Sequence, residues 1–262
     1  MIKIISGHSE RGGSTTVFIT LTNIFNSIGI DCTFYGPHTY HLDKCKSGLI
    51  SEAVFEADNI FITHFVRLKE RPPVKRVVLS CHEKGLINFS NYKQHWDEVV
   101  FINEAHRQFH KEYKGPYSII PNIRIPLEET EKNGLGEVAG VIGTIDFNKQ
   151  THVSIERALK DGCKKVFVYG TITDPVYFER YVKSLFQDSR VVYKGYEENK
   201  QSIYNSIGRV YHSSLSESDG LIRYECLDTN TLYFGNSATS HPIANHNVNS
   251  VINLWKKTLQ IE

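Results

Sequence analysis

Ile2-Lys-Ile-Ile-Ser-Gly-His-Ser-Glu-Arg-Gly-Gly-Ser-Thr-Thr-Val-Phe-Ile-Thr-Leu-Thr-Asn-Ile-Phe-Asn-Ser-Ile-Gly29 opens the chain as a strand, a glycine-rich loop and a helix. The β-branched run Ile2–Ser6 reads as a buried strand. Over Thr15–Ile28, Val17, Leu21, Ile24 and Ile28 recur at helical spacing, and Gly29 stops the helix. Between them, Gly12 and Gly13 let backbone amides approach a bound anion. The loop is not G-x-G-x-x-G, which argues against a dinucleotide cofactor.

Working outward, the same alternation continues. Strands are expected at Asp31–Tyr35, Asn59–Thr63, Val77–Cys81, Glu98–Ile102 and Tyr117–Ile120, with amphipathic stretches between them. A second series follows at Val138–Gly143, Lys165–Tyr169, Arg190–Tyr193, Arg209–His212 and Leu232–Phe234. Pro121-Asn-Ile-Arg-Ile-Pro-Leu and the polar Glu128-Glu-Thr-Glu-Lys-Asn-Gly lie between the series and read as a hinge. The expected fold is therefore α/β, two Rossmann-like domains whose parallel sheets face a central cleft. The expected divisions are 1–122 for an N-terminal Rossmann-like domain, 123–137 for the hinge, 138–245 for a C-terminal Rossmann-like domain and 246–262 for a C-terminal helix. In that helix Val248, Val251, Ile252, Trp255 and Leu259 share one face, which must pack against apolar surface.

Composition narrows the function. The chain has 262 residues, 30 basic and 29 acidic side chains, and 40% hydrophobic content. Two small domains fit that length, and the aromatic content excludes a disordered chain. No global field exists to hold a nucleic-acid backbone, so nucleic acid is excluded as the main partner. Five widely spaced cysteines, without a C-x-x-C pair, read as reduced core thiols of a cytoplasmic protein. With neither a signal peptide nor a spanning apolar run, contact with a membrane surface is at most peripheral. The modest basic bias from Arg67 to Lys114, ten Lys or Arg against six Asp or Glu, would suit an anionic membrane surface, although a solvated surface is its ordinary reading.

The site-bearing stretch is Ser213-Ser-Leu-Ser-Glu-Ser-Asp-Gly-Leu-Ile-Arg-Tyr-Glu-Cys, in which seven residues separate Glu217 from Glu225. Glu217 follows a strand, and Ser218 or Asp219 can cap a helix whose first amides suit a diphosphate. Two glutamates on an amphipathic helix would ordinarily be solvated charges, but Gly220-Leu221 and the strand-loop-helix setting favour a site. The stretch resembles the E-x7-E signature of the retaining glycosyltransferase family 4, including its internal G-L at Gly220 and Leu221. The resemblance implies that Glu217 addresses the donor sugar and Glu225 holds the nucleotide ribose.

The resemblance extends to other segments in the family's order. Ala139-Gly-Val-Ile-Gly-Thr-Ile-Asp-Phe-Asn-Lys is similar to the family's G-R-x4-K element. Gly143 stands in the glycine place, Lys149 in the place of the lysine that meets the donor diphosphate, and Thr144 where the family usually has arginine. Gly12-Gly13 resemble its glycine loop. Val77-Val-Leu-Ser-Cys-His82 resembles its strand followed by a histidine near the anomeric carbon, His64 resembles the preceding strand-end histidine, and Asn103 stands where the family usually has serine. The chain is shorter than usual for the family, most visibly in the middle of the first domain, where acceptors are normally recognised.

The resemblance implies a retaining glycosyltransferase of the GT-B type, carrying a sugar from a nucleotide-diphosphate donor to a glycan, glycolipid or small-molecule acceptor. His82, Lys149 and Glu217 are the expected catalytic residues. Gly12, Gly13, Gly143, Thr144, Lys149, Glu217, Gly220, Leu221 and Glu225 are expected at the donor. No Asp-x-Asp triplet occurs and no His, Cys and carboxylate spacing reads as a metal site, so no cofactor and no metal ion are expected. A GT-B-fold epimerase or hydrolase, and a non-catalytic sugar-nucleotide-binding subunit, are the alternatives.

Overall fold

The structure, a computed structural model, describes residues 1–85, 89, 95–239 and 247–262. The chain forms two compact units, Met1–Ile125 with Ala244–Glu262, and Pro126–Ile243. The division falls inside the stretch read as a hinge, so residues 126–137 belong to the second unit. His246, the expected start of the last helix, lies outside the described residues, as does part of the basic-biased segment.

The first unit is built on seven parallel strands, β1 (Ile2–Ser6), β2 (Cys32–Gly36), β3 (Ser47–Leu49), β4 (Ile60–His64), β5 (Arg76–Cys81), β6 (Glu98–Phe101) and β7 (Tyr117–Ile119). Their order is β3-β2-β1-β4-β5-β6-β7, and every described neighbour pair is parallel. All five residues of β1 are buried, even Lys3, whose ammonium reaches the Val54 carbonyl and Glu56. Burial on both faces explains why β1, β4 and β5 read as short apolar runs. The sheet reverses direction between β1 and β4, where Ser6 pairs with His64. There Gly7 passes so close to β4 that an added Cβ would lie 2.1 Å from the Phe65 carbonyl oxygen.

Helix α1 (Gly13–Ser27) crosses from β1 to β2 and stops before Gly29, at φ +82°. Its buried face is Thr15, Val17, Phe18, Leu21, Thr22 and Phe25. That corrects the expected stripe: Ile28 is exposed and Ile24 half-buried, because Phe18 and Phe25 rotate the apolar face toward themselves. The three-residue β3 has no β-branched run to announce it. Helix α2 (Glu104–Phe109) follows β6, capped by Asn103 Oδ1, which accepts from the His106 amide at 2.8 Å.

The second unit carries β8 (Val138–Ile142), β9 (Lys165–Tyr169), β10 (Val191–Gly195), β11 (Arg209–Tyr211) and β12 (Leu232–Phe234), all parallel in the order β10-β9-β8-β11-β12. Helices α3 (Thr151–Lys160), α4 (Pro175–Tyr177, continuing through Phe178–Val182 and Lys183–Gln187), α5 (Lys200–Asn205) and α6 (Leu221–Asp228) connect them. Strand alternation divides the core between two faces. Val166 and Val168 pack with Ile155 and Ala158 of α3 on one side. Phe167 and Tyr169 pack with Ile203 and Tyr204 of α5 on the other.

Helix α7 (Val248–Leu259) belongs to the first unit and buries Val251, Ile252, Trp255, Thr258 and Leu259, with Val248 half-buried at its edge. Arg76 Nε donates to the Thr258 carbonyl at 2.7 Å, and Thr258 Oγ1 to Ser118 Oγ at 2.9 Å. Among the described residues no helix is long and apolar enough to cross a membrane.

Candidate functional site

In the second unit the direction of the sheet reverses between β8 and β11, and two loops leave the carboxyl ends of those adjacent strands. Ligands of open parallel sheets bind in the crevice such a reversal creates. The loop after β8 begins at Gly143, whose φ is +137°. Its amide donates to the Tyr169 carbonyl at 3.0 Å. Gly170 packs against it so tightly that an added Cβ would fall 1.7 Å from the Gly143 oxygen. Asp146 then organises the loop, accepting from Thr144 Oγ1 at 2.5 Å and from the Lys149 amide at 2.9 Å.

Lys149 lies back over Gly143 and extends its ammonium to the loop after β11, where Nζ is 2.6 Å from Glu217 Oε1. The same carboxylate oxygen is 3.0 Å from His212 Nε2, at the end of β11. That nitrogen is 2.9 Å from Ser214 Oγ, and His212 Nδ1 is 3.0 Å from the Tyr233 hydroxyl. Burial opposes ionisation of Glu217, yet the His212 hydrogen bond and the Lys149 charge outweigh it and hold the carboxyl well below its usual range. The result is a carboxylate and an ammonium fixed at the strand ends.

Glu225 has different partners. It is buried on α6, with Oε1 paired to the Lys200 ammonium and Oε2 accepting from the Tyr204 hydroxyl at 2.9 Å. Burial and the adjacent Glu225 charge push the Tyr204 phenol well up, so it remains a donor. Between the two glutamates, Gly220 occupies the N-cap of α6 at φ +32°, with Leu221 as the first helical residue. Gly220 itself has no side chain to cap with. Asp219, beside it, is buried, and its Oδ1 accepts from the Tyr224 hydroxyl at 3.4 Å.

In the first unit, Gly12 and Gly13 start α1 and are exposed. Neither needs positive φ, and around Gly13 nothing lies within 4 Å of an added Cβ. His82 follows β5 and is buried. Its Nε2 is 3.0 Å from Ser80 Oγ, and its ring packs edge-on at 5.0 Å from Phe18 and 5.1 Å from His64. Burial, then the neighbouring His64 and His106, lower its pKa and keep it neutral. His64 Nδ1 is 2.8 Å from Ser6 Oγ, and its Nε2 is 3.0 Å from Glu83 Oε1.

The structure thus brings Gly143, Lys149 and Glu217 together, gives Glu225 its own pocket of partners, and turns Thr144 toward an acid. Sequence reasoning missed His212 and Tyr233, which orient Glu217. The available signal was a polar side chain at the carboxyl end of a strand beside the reversal.

No family model and no curated protein matches the chain. Solved structures do. HepE of Anabaena, in complex with UDP-glucose, aligns over 98% of this chain and 90% of its own, with 12% identity and a TM-score of 0.61. Sucrose-phosphate synthase of Thermosynechococcus elongatus aligns over 99% and 89%, with 12% identity and a TM-score of 0.66. AviGT4, a glycosyltransferase involved in avilamycin A biosynthesis, aligns over 99% and 88%, with 12% identity and a TM-score of 0.62. With two parallel α/β sheets matching these along nearly its whole length, the chain has the GT-B fold of glycosyltransferases.

Proposed function

We propose that the chain is a retaining glycosyltransferase that uses a nucleotide-diphosphate sugar, with the donor held by the second unit and the acceptor served by the first. The observation that carries this reading is the Lys149–Glu217 pair, 2.6 Å apart at the carboxyl ends of β8 and β11. An ammonium there offsets the charge of a diphosphate, both when bound and as it leaves. The amides that open α6 after Gly220 add a second anion contact. As the diphosphate takes over Lys149, Glu217 becomes available to accept hydrogen bonds from hydroxyls of the donor sugar. Glu225 takes those of the ribose.

The acceptor hydroxyl attacks on the face from which the diphosphate departs, so configuration is retained without a glycosyl ester on the enzyme. Rate enhancement comes from positioning and from stabilising the leaving phosphate. Lys149 performs the charge neutralisation that a bridging divalent ion provides elsewhere, which makes transfer independent of added metal. Complexes with UDP-glucose, and with UDP and glucose, in the similarly folded HepE support a UDP-sugar donor and a sugar-bearing acceptor.

One observation favours a second reading, a non-catalytic sugar-nucleotide-binding subunit. Thr144 spends its hydroxyl on Asp146 where the resembled family has a cation. Thermal stabilisation by UDP-, GDP-, ADP- and CMP-sugars, followed by product analysis of whichever binds, decides between them. Binding with neither transfer nor hydrolysis selects the subunit; release of a free or epimerised sugar selects hydrolysis or epimerisation.

A further inference from the structure

Away from the proposed donor residues, the first unit gathers three side chains that sequence spacing alone left apart. Cys81 ends β5, while His106 and His110 stand four residues apart, one on α2 and one as its C-cap. All three are buried, at 0%, 0% and 1% exposure. Cys81 Sγ is 3.8 Å from His106 Nε2 and 3.9 Å from His110 Nε2, and all three atoms lie within 4.8 Å of one another.

A fourth atom completes the group. The main-chain oxygen of Glu83 is 3.1 Å from His106 Nε2, 3.0 Å from His110 Nε2 and 3.7 Å from Cys81 Sγ. Three hydrogen-bond donors therefore converge on one carbonyl, which offers only two lone pairs. Zinc bonds of about 2.0–2.2 Å to nitrogen or oxygen and about 2.3 Å to sulfur separate neighbouring tetrahedral ligand atoms by roughly 3.3–3.6 Å. The five measured edges of this tetrahedron already lie within about 0.4 Å of that range.

We propose that Cys81, His106, His110 and the Glu83 carbonyl bind a zinc-type divalent ion. One thiolate and two imidazoles are the donor set of zinc rather than of magnesium or calcium. Four protein donors leave no open position, so the site is structural and ties the end of β5 to α2. Binding displaces the Cys81 thiol proton to solvent, and each imidazole carries its single proton on Nδ1 while Nε2 takes the metal. For His110 that proton has an acceptor, Glu112 Oε1 at 3.4 Å, the carboxylate–histidine–metal arrangement that raises ligand basicity. For His106 the change gives up a long 3.4 Å contact from the Ile102 amide. The ion would also fix the loop through His82 and Glu83, whatever role His82 has.

The test is the metal content of the untagged full chain, purified without chelator and analysed by inductively coupled plasma mass spectrometry. About one zinc per chain is expected, falling at least tenfold in Cys81→Ser and staying unchanged in Cys163→Ser. Glu112→Ala, which leaves all four donors in place, should weaken zinc affinity by about tenfold or more. Because Cys81→Ser can fail to fold, wild-type protein loaded with cobalt(II) supplies a second readout, a thiolate-to-cobalt charge-transfer band in the near ultraviolet. Zinc-free protein that also refuses zinc on titration overturns the proposal. So does bound cobalt without the thiolate band, or a folded Cys81→Ser chain that keeps its zinc.

Discussion

Lys149 Nζ and Glu217 Oε1 meet at 2.6 Å although they lie 68 positions apart in the chain. Adjacent parallel strands, β8 and β11, deliver their loops to the same side of the sheet, and His212 fixes the carboxylate from below. In the proposed donor complex, a diphosphate at this point would exchange the carboxylate partner of Lys149 for phosphate oxygens. Lys149→Ala should therefore weaken binding of the free nucleotide diphosphate by about 1.5–3 kcal/mol, the range for hydrogen bonds to charged groups. Isothermal titration calorimetry measures it; an unchanged dissociation constant in a folded variant removes Lys149 from the donor site.

The same pair fixes an acid dependence. Glu217 ionises more readily folded than unfolded, so it contributes stability above its ordinary value of 4.5, and that contribution is lost as pH falls below it. Wild-type stability should drop on that acid limb, and Glu217→Gln, which cannot titrate, should show a shallower drop. Denaturant unfolding at a series of pH values tests this. Parallel acid limbs in the two proteins would show that Glu217 is not held as described.

Glu225 has a structural role and a proposed ligand role to separate. Glu225→Ala should weaken nucleotide binding by about 1–3 kcal/mol. It also strips Tyr204 of its 2.9 Å acceptor, destabilising the unit by a further 1–3 kcal/mol or so as a buried hydroxyl loses its partner. Tyr204→Phe removes the hydroxyl but leaves the carboxylate. It should bind nucleotide like wild type, and equal binding losses in both variants would mean that Glu225 acts through packing alone.

Much of this was legible in the sequence because both sheets are parallel and doubly covered. Such strands announce themselves as short β-branched runs, and Ile2–Ser6 and Lys165–Tyr169 fall where expected. Strand β3 did not, since Ser47-Gly-Leu49 is defined by its pairing with β2 rather than by its own residues. Lys149 and Glu217 were legible through the resemblance of their motifs to the glycosyltransferase family. His212 and Tyr233 were not, because their significance depends on which strands become neighbours. The Cys81, His106 and His110 cluster was half visible as two histidines at helical i,i+4 spacing, but the thiol joins them only when β5 and β6 pair.

Retention and metal independence are tested together. With Lys149 as the counter-charge, initial rates measured over minutes should be the same with and without EDTA, a span too short to draw an ion from a closed, buried site such as the one proposed at Cys81. Proton NMR of the product should show the anomeric configuration of the donor. Loss of rate restored by magnesium or manganese would overturn the role given to Lys149, and an inverted linkage would overturn the retaining mechanism even if transfer were real.

His82 separates an enzyme from a binding subunit, because it stands in the unit to which the acceptor is assigned. Burial and its histidine neighbours keep the ring neutral, so its proposed contribution is a positioned hydrogen bond rather than a charge. Removing one positioned polar group from a reacting centre typically lowers turnover by about 10²-fold or more. His82→Ala should therefore reduce transfer on that scale while donor affinity stays within a few fold, a split that follows from the donor's being held by the second unit. The ring also fills space beside Phe18 and His64, so the variant could lose activity simply by loosening α1. Ser80→Ala provides the control: it removes the 3.0 Å partner of His82 Nε2 but keeps the ring and its packing. Both variants are measured for circular dichroism, donor affinity and transfer on the same preparations. A folded His82→Ala chain that transfers at the wild-type rate makes the histidine a packing residue. A folded variant that loses donor binding together with transfer contradicts the proposed division of tasks between the two units.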